Sequence, residues 1–238
     1  MYLHTTDVHN TKAAEEILPL ILQYIKPSSV VDVGCGIGTW LKVFSDYIGD
    51  DYLGIDSYFI NKELLFIPQN KFRPHDLRTP FKIERKFDLA LSLEVAEHLP
   101  ESSADIFIDS LSNLSDNILF SAAIPNQGGQ NHLNEQWPEY WIKKLEQRDF
   151  RCFDIIRPLV WDNPNVDLWY KQNILFFSRT KNNFDAVIKP SSNKYSIVHP
   201  EMFQIFVDRY NNILKGDVGF RQLYRIILNT LKKRVLKK

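Results

Sequence analysis

The chain has 238 residues, 44% hydrophobic and 13% aromatic, enough for one large domain or for a domain of about 180 residues with an appendage. Its 29 basic and 29 acidic residues cancel, which removes the electrostatic argument for a nucleic-acid binder. No stretch reaches the roughly 20 apolar residues of a membrane span and no secretory leader is visible; Cys35 and Cys152 lie far apart and read as free thiols, so the expectation is a cytoplasmic protein.

In chain order, residues 13–26 (AAEEILPLILQYIK) carry apolar side chains at helical spacing and stop before Pro27, which predicts a leading helix. SVVDVGCGIGTW is a β-branched strand running into glycines and then into the helix TWLKVFSDYI. DYLGIDSY is a second short strand, ending in Asp56, and KFRPHDLRTPF a third that runs into a loop. KFDLALSL is almost continuously apolar, as a strand covered on both faces must be. A helix follows to about Leu114, then the strand NILFSAAIP, the loop NQGGQNHLNEQWP and the helix EYWIKKLEQRD. The strands FRCFDIIRP and NILFFSR close the pattern, joined by an aromatic loop with no evident crossover helix, which suits an antiparallel pair at one edge. Strands alternating with helices predict the α/β class, a mostly parallel sheet with helices on both faces, over residues 1–180. Residues 181–200 are polar and punctuated by proline, a linker; residues 201–238 read as a helical extension of two helices.

Asp32, Gly34, Gly36 and Gly38 form D-x-G-x-G-x-G at a strand-to-helix turn. Such glycines admit positive φ and let a ligand approach the main chain, and the next helix offers unpaired N–H groups. Asp56, ending the next strand, can accept both hydroxyls of a ribose. Together, VVDVGCGIGTW, YLGIDSY, HDL and FDLALSLEVAEHL resemble a class I S-adenosylmethionine-dependent methyltransferase over roughly residues 25–180. That resemblance implies a Rossmann-like sheet of seven strands with an antiparallel last strand. It also implies S-adenosylmethionine as cofactor. Gly34, Gly36 and Gly38 would wrap its methionine part, Asp32 would orient the turn and meet its amino group, and Asp56 would hold the ribose. Asp76 and Leu77 would edge the adenine, and Ser92 would lie beside the sulfonium. A relative that has lost catalysis and serves as a binding protein is the alternative.

SLEVAEHLP carries Glu94, Glu97 and His98, which share one face if the segment is helical. One reading gives these groups to the pocket or to a helix start favoured by the dipole. The other adds His132, from the loop after the fifth strand, and makes Glu94, Glu97, His98 and His132 the ligands of a divalent cation, Mg²⁺ or Mn²⁺. Glu94, His98 and His132 are also the candidate catalytic groups, an imidazole outside the metal shell serving as general base. E-x-x-E-H resembles the metal-dependent O-methyltransferases that act on small-RNA 3′ ends and those of the ubiquinone pathway. HLNEQW is one residue longer than the H-x-x-E-W of the RNA group. A metal would polarise a hydroxyl, so O-methylation is expected, with RNA 2′-O-methylation the rival.

NEQWPEYW and VWDNPNVDLWYKQN place Trp137, Trp141, Trp161 and Trp169 among amides and carboxylates, a pairing that suits sugar rings, and residues 126–177 resemble methyltransferases of bacterial surface-polysaccharide assembly. The expected acceptor is a sugar, nucleotide-sugar or similar small precursor. The last 18 residues hold seven Lys or Arg and no acid, with Leu, Ile and Val at helical spacing. This tail reads either as a helix packing on the domain or on a second subunit of a homodimer, or as a peripheral contact with the inner face of a membrane.

Overall fold

The computed structural model describes residues 10–179, 195–221, 223–225 and 227–228. They fall into two units, Met1–Ile197 and Val198–Lys238.

The first unit is a seven-stranded sheet built from β1 (Val30–Val33), β2 (Tyr52–Asp56), β3 (Phe72–Pro74), β4 (Leu89–Leu93), β5 (Asn117–Ser121), β6 (Arg151–Phe153) and β7 (Leu175–Ser178). The strand order is β3-β2-β1-β4-β5-β7-β6. The first five are parallel neighbours, with Asp32 beside Gly54 on one side and Leu91 on the other. β7 runs antiparallel and inserts between β5 and β6, so the edge strand is β6. The strand order reverses between β1 and β4, and ligands of open α/β sheets settle at that switch point.

The pleat divides the core in two. Val30, Leu89, Leu91 and Phe176 face one side, packed with Ile17 and Leu18 of α1 (Lys12–Ile21) and Leu41 and Phe44 of α2 (Thr39–Ile48). Val31, Ala90, Ile118 and Phe177 face the other, packed with Phe107 and Leu111 of α3 (Ala104–Leu114) and Trp141 and Leu145 of α4 (Pro138–Glu146). Each fully buried Leu, Ile or Phe contributes about 2 kcal/mol from apolar burial.

Three expectations need correction. The leading helix ends at Ile21, two residues after the Pro19 it contains; Leu22 to Tyr24 form a turn instead. The segment between β6 and β7 contains two short helices, α5 (Arg157–Val160) and α6 (Leu168–Asn173). After β4 there is no α-helix until Ala104: Ala96–His98 is a single 3₁₀ turn. Both cysteines are free and buried.

In the second unit, α7 (Pro200–Lys215) starts with proline at its first turn, His199 accepting the Glu201 amide, and stops at Gly216. Residues 220–221, 223–225 and 227–228 are helical. Most of the expected linker (181–194) and the basic end (229–238) lie outside the described residues. Among the described residues no helix is long and apolar enough to cross a membrane.

Candidate active site

A cavity of about 800 Å³ opens at the carboxyl ends of β1, β2 and β4, within the range of small-molecule sites. Its floor is the glycine turn. Gly34 has φ +88° and donates its amide to the Ile55 carbonyl at 2.7 Å; a Cβ there would lie 2.2 Å from a Val95 methyl, so no other residue fits. Asp56 ties the ends of β1 and β2 together by accepting the Gly36 amide at 2.7 Å and its neighbour Ser57's at 2.5 Å. Burial raises its pKa, and these amides pull the other way.

Asp32 is 3% exposed, and among the described residues no donor reaches its carboxylate. Burial first, then the charge of Asp56, push its pKa up to about 7. An acid held in that state on a cavity wall suits a cationic group, such as the ammonium of a bound amino acid. Asp76 and Leu77 also line the cavity, with Asp76 paired to Arg78 at 2.6 Å. The cradle therefore fits S-adenosylmethionine: backbone glycine for close approach, acids for its hydroxyls and ammonium, and room for the nucleoside.

Two expected cofactor contacts are not on that wall. Gly38 precedes α2 and faces Ile67, and its amide is taken by the Cys35 carbonyl. Ser92 alternates with Leu91 and Leu93, so the pleat turns it to the opposite face, where its hydroxyl is buried; Leu93, Glu94 and Val95 form the wall instead.

The acid and imidazole groups meet by loop docking rather than on one helical face. Glu94 takes φ +54° and donates its amide to the carbonyl and hydroxyl of Ser121. The amides of Leu133 and Asn134 donate to the Glu97 carbonyl at 2.7 and 3.0 Å, which pins the loop after β5 against the turn after β4. His98 and His132 then meet edge to face, ring centroids 4.8 Å apart. Glu97, His98 and His132 each offer a ligand atom, and these atoms all lie within 4.8 Å of one another.

Glu94, the fourth expected ligand, is not in that group. Gln127 and Asn173 donate to its carboxylate at 3.0 Å each, so neighbouring amides occupy it. Glu97 is fully buried; neither oxygen has a well-formed hydrogen bond, though the Glu94 carboxyl and the amides of Glu97 and Ala123 lie close enough to act on it. Burial, then the charge of Glu94, hold its pKa well above the carboxylate range. Burial and His132 lower the pKa of His98 to about 4, so its ring is neutral. His98 donates to backbone carbonyls of Gln130 and Asn131, and His132 Nδ1 sits 2.8 Å from Glu135. Each imidazole is thus oriented by an outer partner, as metal-binding histidines are. Glu135, which also accepts the Asn126 and Gly128 amides at 2.7 Å, was missed; the three-residue spacing in HLNE is the signal that could have found it.

The aromatic wall differs from expectation. Trp169, Tyr170 and Trp40 line the cavity, the last two in edge contact with centroids at 5.3 Å. Trp141 is core, and Trp137 and Trp161 do not line the cavity.

Residues 7–153 match the family described as "Methyltransferase domain". The chain belongs to that family. The methyltransferase resembles SAM-bound CalS10 from Micromonospora echinaspora, an amino pentose methyltransferase involved in calicheamicin biosynthesis, with a TM-score of 0.54 at 12% identity, covering 76% of this chain and 98% of that one. The methyltransferase domain of bacterial CtHen1-C gives 0.51 at 17% identity, covering 71% and 98%. At these identities the likeness establishes the fold. A comparison with curated proteins finds no significant match. The methyltransferase is an S-adenosylmethionine-dependent enzyme of class I.

Proposed function

We propose that this enzyme methylates a hydroxyl oxygen of a sugar, nucleotide-sugar or related small precursor, with help from Mg²⁺ or Mn²⁺ held by Glu97, His98 and His132. The observation that carries this reading is the fully buried Glu97 carboxyl, without a well-formed hydrogen bond, set against the Glu94 carboxyl and within ligand reach of two imidazoles that outer partners orient. A buried anion in that state is strongly disfavoured unless a cation or a proton neutralises it. Carboxylate and imidazole donors suit a borderline or hard dication.

S-adenosylmethionine brings an already activated methyl group, and a dication would polarise the acceptor oxygen so that it sheds its proton near neutral pH. The chain's part is alignment. Asp56 and Asp76 would hold the nucleoside end, Asp32 would meet the ammonium, and Leu93 to Val95 would bound the reacting centre. Trp169, with Asp167 at the same wall, gives a ring face and a hydroxyl acceptor for a polyol. Glu94, which lines the cavity and is held by Gln127 and Asn173, would be the general base that takes the acceptor hydroxyl's proton. The balanced overall charge gives no independent support to RNA as substrate.

The test is Mn²⁺ titration of the chelated protein by electron paramagnetic resonance, alongside turnover on a panel of sugar acceptors. Wild type should take up one ion and Glu97→Gln should lose it, while both bind S-adenosylmethionine. Full turnover after exhaustive chelation, or unchanged ion uptake in the variant, removes the metal from the reading.

A further inference from the structure

The second unit carries an apolar surface that the catalytic reading does not use. Phe220, Leu223, Tyr224 and Ile227 follow the i, i+3, i+4, i+7 spacing of one helical face, and all four are exposed, Phe220 at 82% and Tyr224 at 55%. In α7, Phe203, Tyr210 and Leu214 repeat the arrangement at i, i+7 and i+11, each at least 60% exposed. Isolated exposed apolar residues are ordinary, but aligned faces of this kind mark a surface meant to be covered.

The charge of the same stretch identifies the cover. From Arg221 onward the sequence holds seven Lys or Arg and no acid; Arg221 and Arg225 belong to the described helical residues, the other five follow in sequence outside them, and the acids of the unit, Glu201, Asp208 and Asp217, all precede this stretch. A second copy laid on this segment in register would place like charges together, which opposes self-association. A nucleic acid would answer the cations and leave four large apolar side chains in water. An anionic bilayer answers both features at once: acyl chains take Phe, Leu and Ile, and acidic headgroups take the cations. We infer that the C-terminal unit is an interfacial anchor that docks the enzyme onto a membrane face rich in acidic phospholipid. The inference does not depend on the metal or on the identity of the acceptor.

Vesicle co-sedimentation of the full chain tests it. Binding to vesicles containing phosphatidylglycerol should exceed binding to pure phosphatidylcholine by at least about tenfold at low salt, and should weaken as salt rises. Two variants separate the contributions: Phe220→Asp with Tyr224→Asp on the apolar face, and Lys232→Gln, Lys233→Gln and Arg234→Gln in the basic end. Each should lose about tenfold in vesicle binding while S-adenosylmethionine binding by calorimetry stays unchanged. Equal binding to neutral and anionic vesicles, or no binding to either, overturns the proposal. So does a concentration-dependent dimer that the aspartate pair abolishes without any vesicle binding, or retention of the chain by single-stranded RNA in place of vesicles.

Discussion

A carboxylate buried as deeply as Asp32 opposes folding whenever it carries charge. Its pKa rises from 3.8 to about 7, so the native state keeps a proton that the unfolded chain has already released. Stability from that proton is fully present below the unfolded value near 3.8 and is lost as pH climbs through about 7, a span on the order of 4 kcal/mol. Asp32→Asn should therefore grow steadily more stable relative to wild type between pH 4.5 and 7.5 in urea unfolding, while binding S-adenosylmethionine more weakly. Parallel stability curves would show that the acid is not strained. A second residue-scale expectation concerns Glu135, which orients His132 without reaching the ligand cluster. Glu135→Gln should lower Mn²⁺ affinity about 10- to 100-fold in the same resonance titration that reads Glu97, with S-adenosylmethionine binding retained. Undiminished affinity would relieve Glu135 of that role.

At the level of elements, Arg157 joins three segments. It is 1% exposed, grips Asp154 through two nitrogens at 2.9 and 2.5 Å, and donates to the carbonyls of Gln172 at the end of α6 and of Tyr195. Arg157→Met should cost about 3–5 kcal/mol, because it strands the Asp154 charge and two carbonyls; adding Asp154→Asn should restore part of the loss. A loss under about 1 kcal/mol in denaturant titration would mean that water satisfies these groups. Arg157 also shows where sequence reading stops. The strands and glycine turn were legible because β-branched runs, Gly34 and the terminal Asp56 are local signals. The insertion of β7 between β5 and β6 is not local, and the arginine's partners at 172 and 195 lie 15 and 38 residues away. Likewise Glu97, His98 and His132 were found by residue type, yet the geometry that unites them depends on two amides at 133 and 134. Nothing local reveals that Asn173 claims Glu94, whereas the turning away of Ser92 follows from the strand's own alternation with Leu91 and Leu93.

Across the whole molecule, the division of labour has a measurable consequence. All seven strands, both buried apolar clusters and every residue lining the cavity belong to the unit that ends at Ile197. The last described piece of that unit is fixed to it from within: Glu139 accepts the amides of Tyr195 and Ser196 at 3.1 and 2.9 Å, and Gln172 donates to the Ile197 carbonyl at 2.7 Å. A domain with its own core and its own ligand pocket folds independently of an appendage. A chain ending after Ile197 should therefore unfold cooperatively, with a midpoint within about 5 °C of the full chain, and bind S-adenosylmethionine with unchanged affinity. A chain ending before Tyr195 forfeits the bonds from Tyr195 and Ile197 to Arg157 and Gln172, and should melt lower than the 197-residue chain. If the 197-residue chain instead aggregates or loses the cofactor, the C-terminal unit is a structural part of the catalytic domain and not an appendage to it.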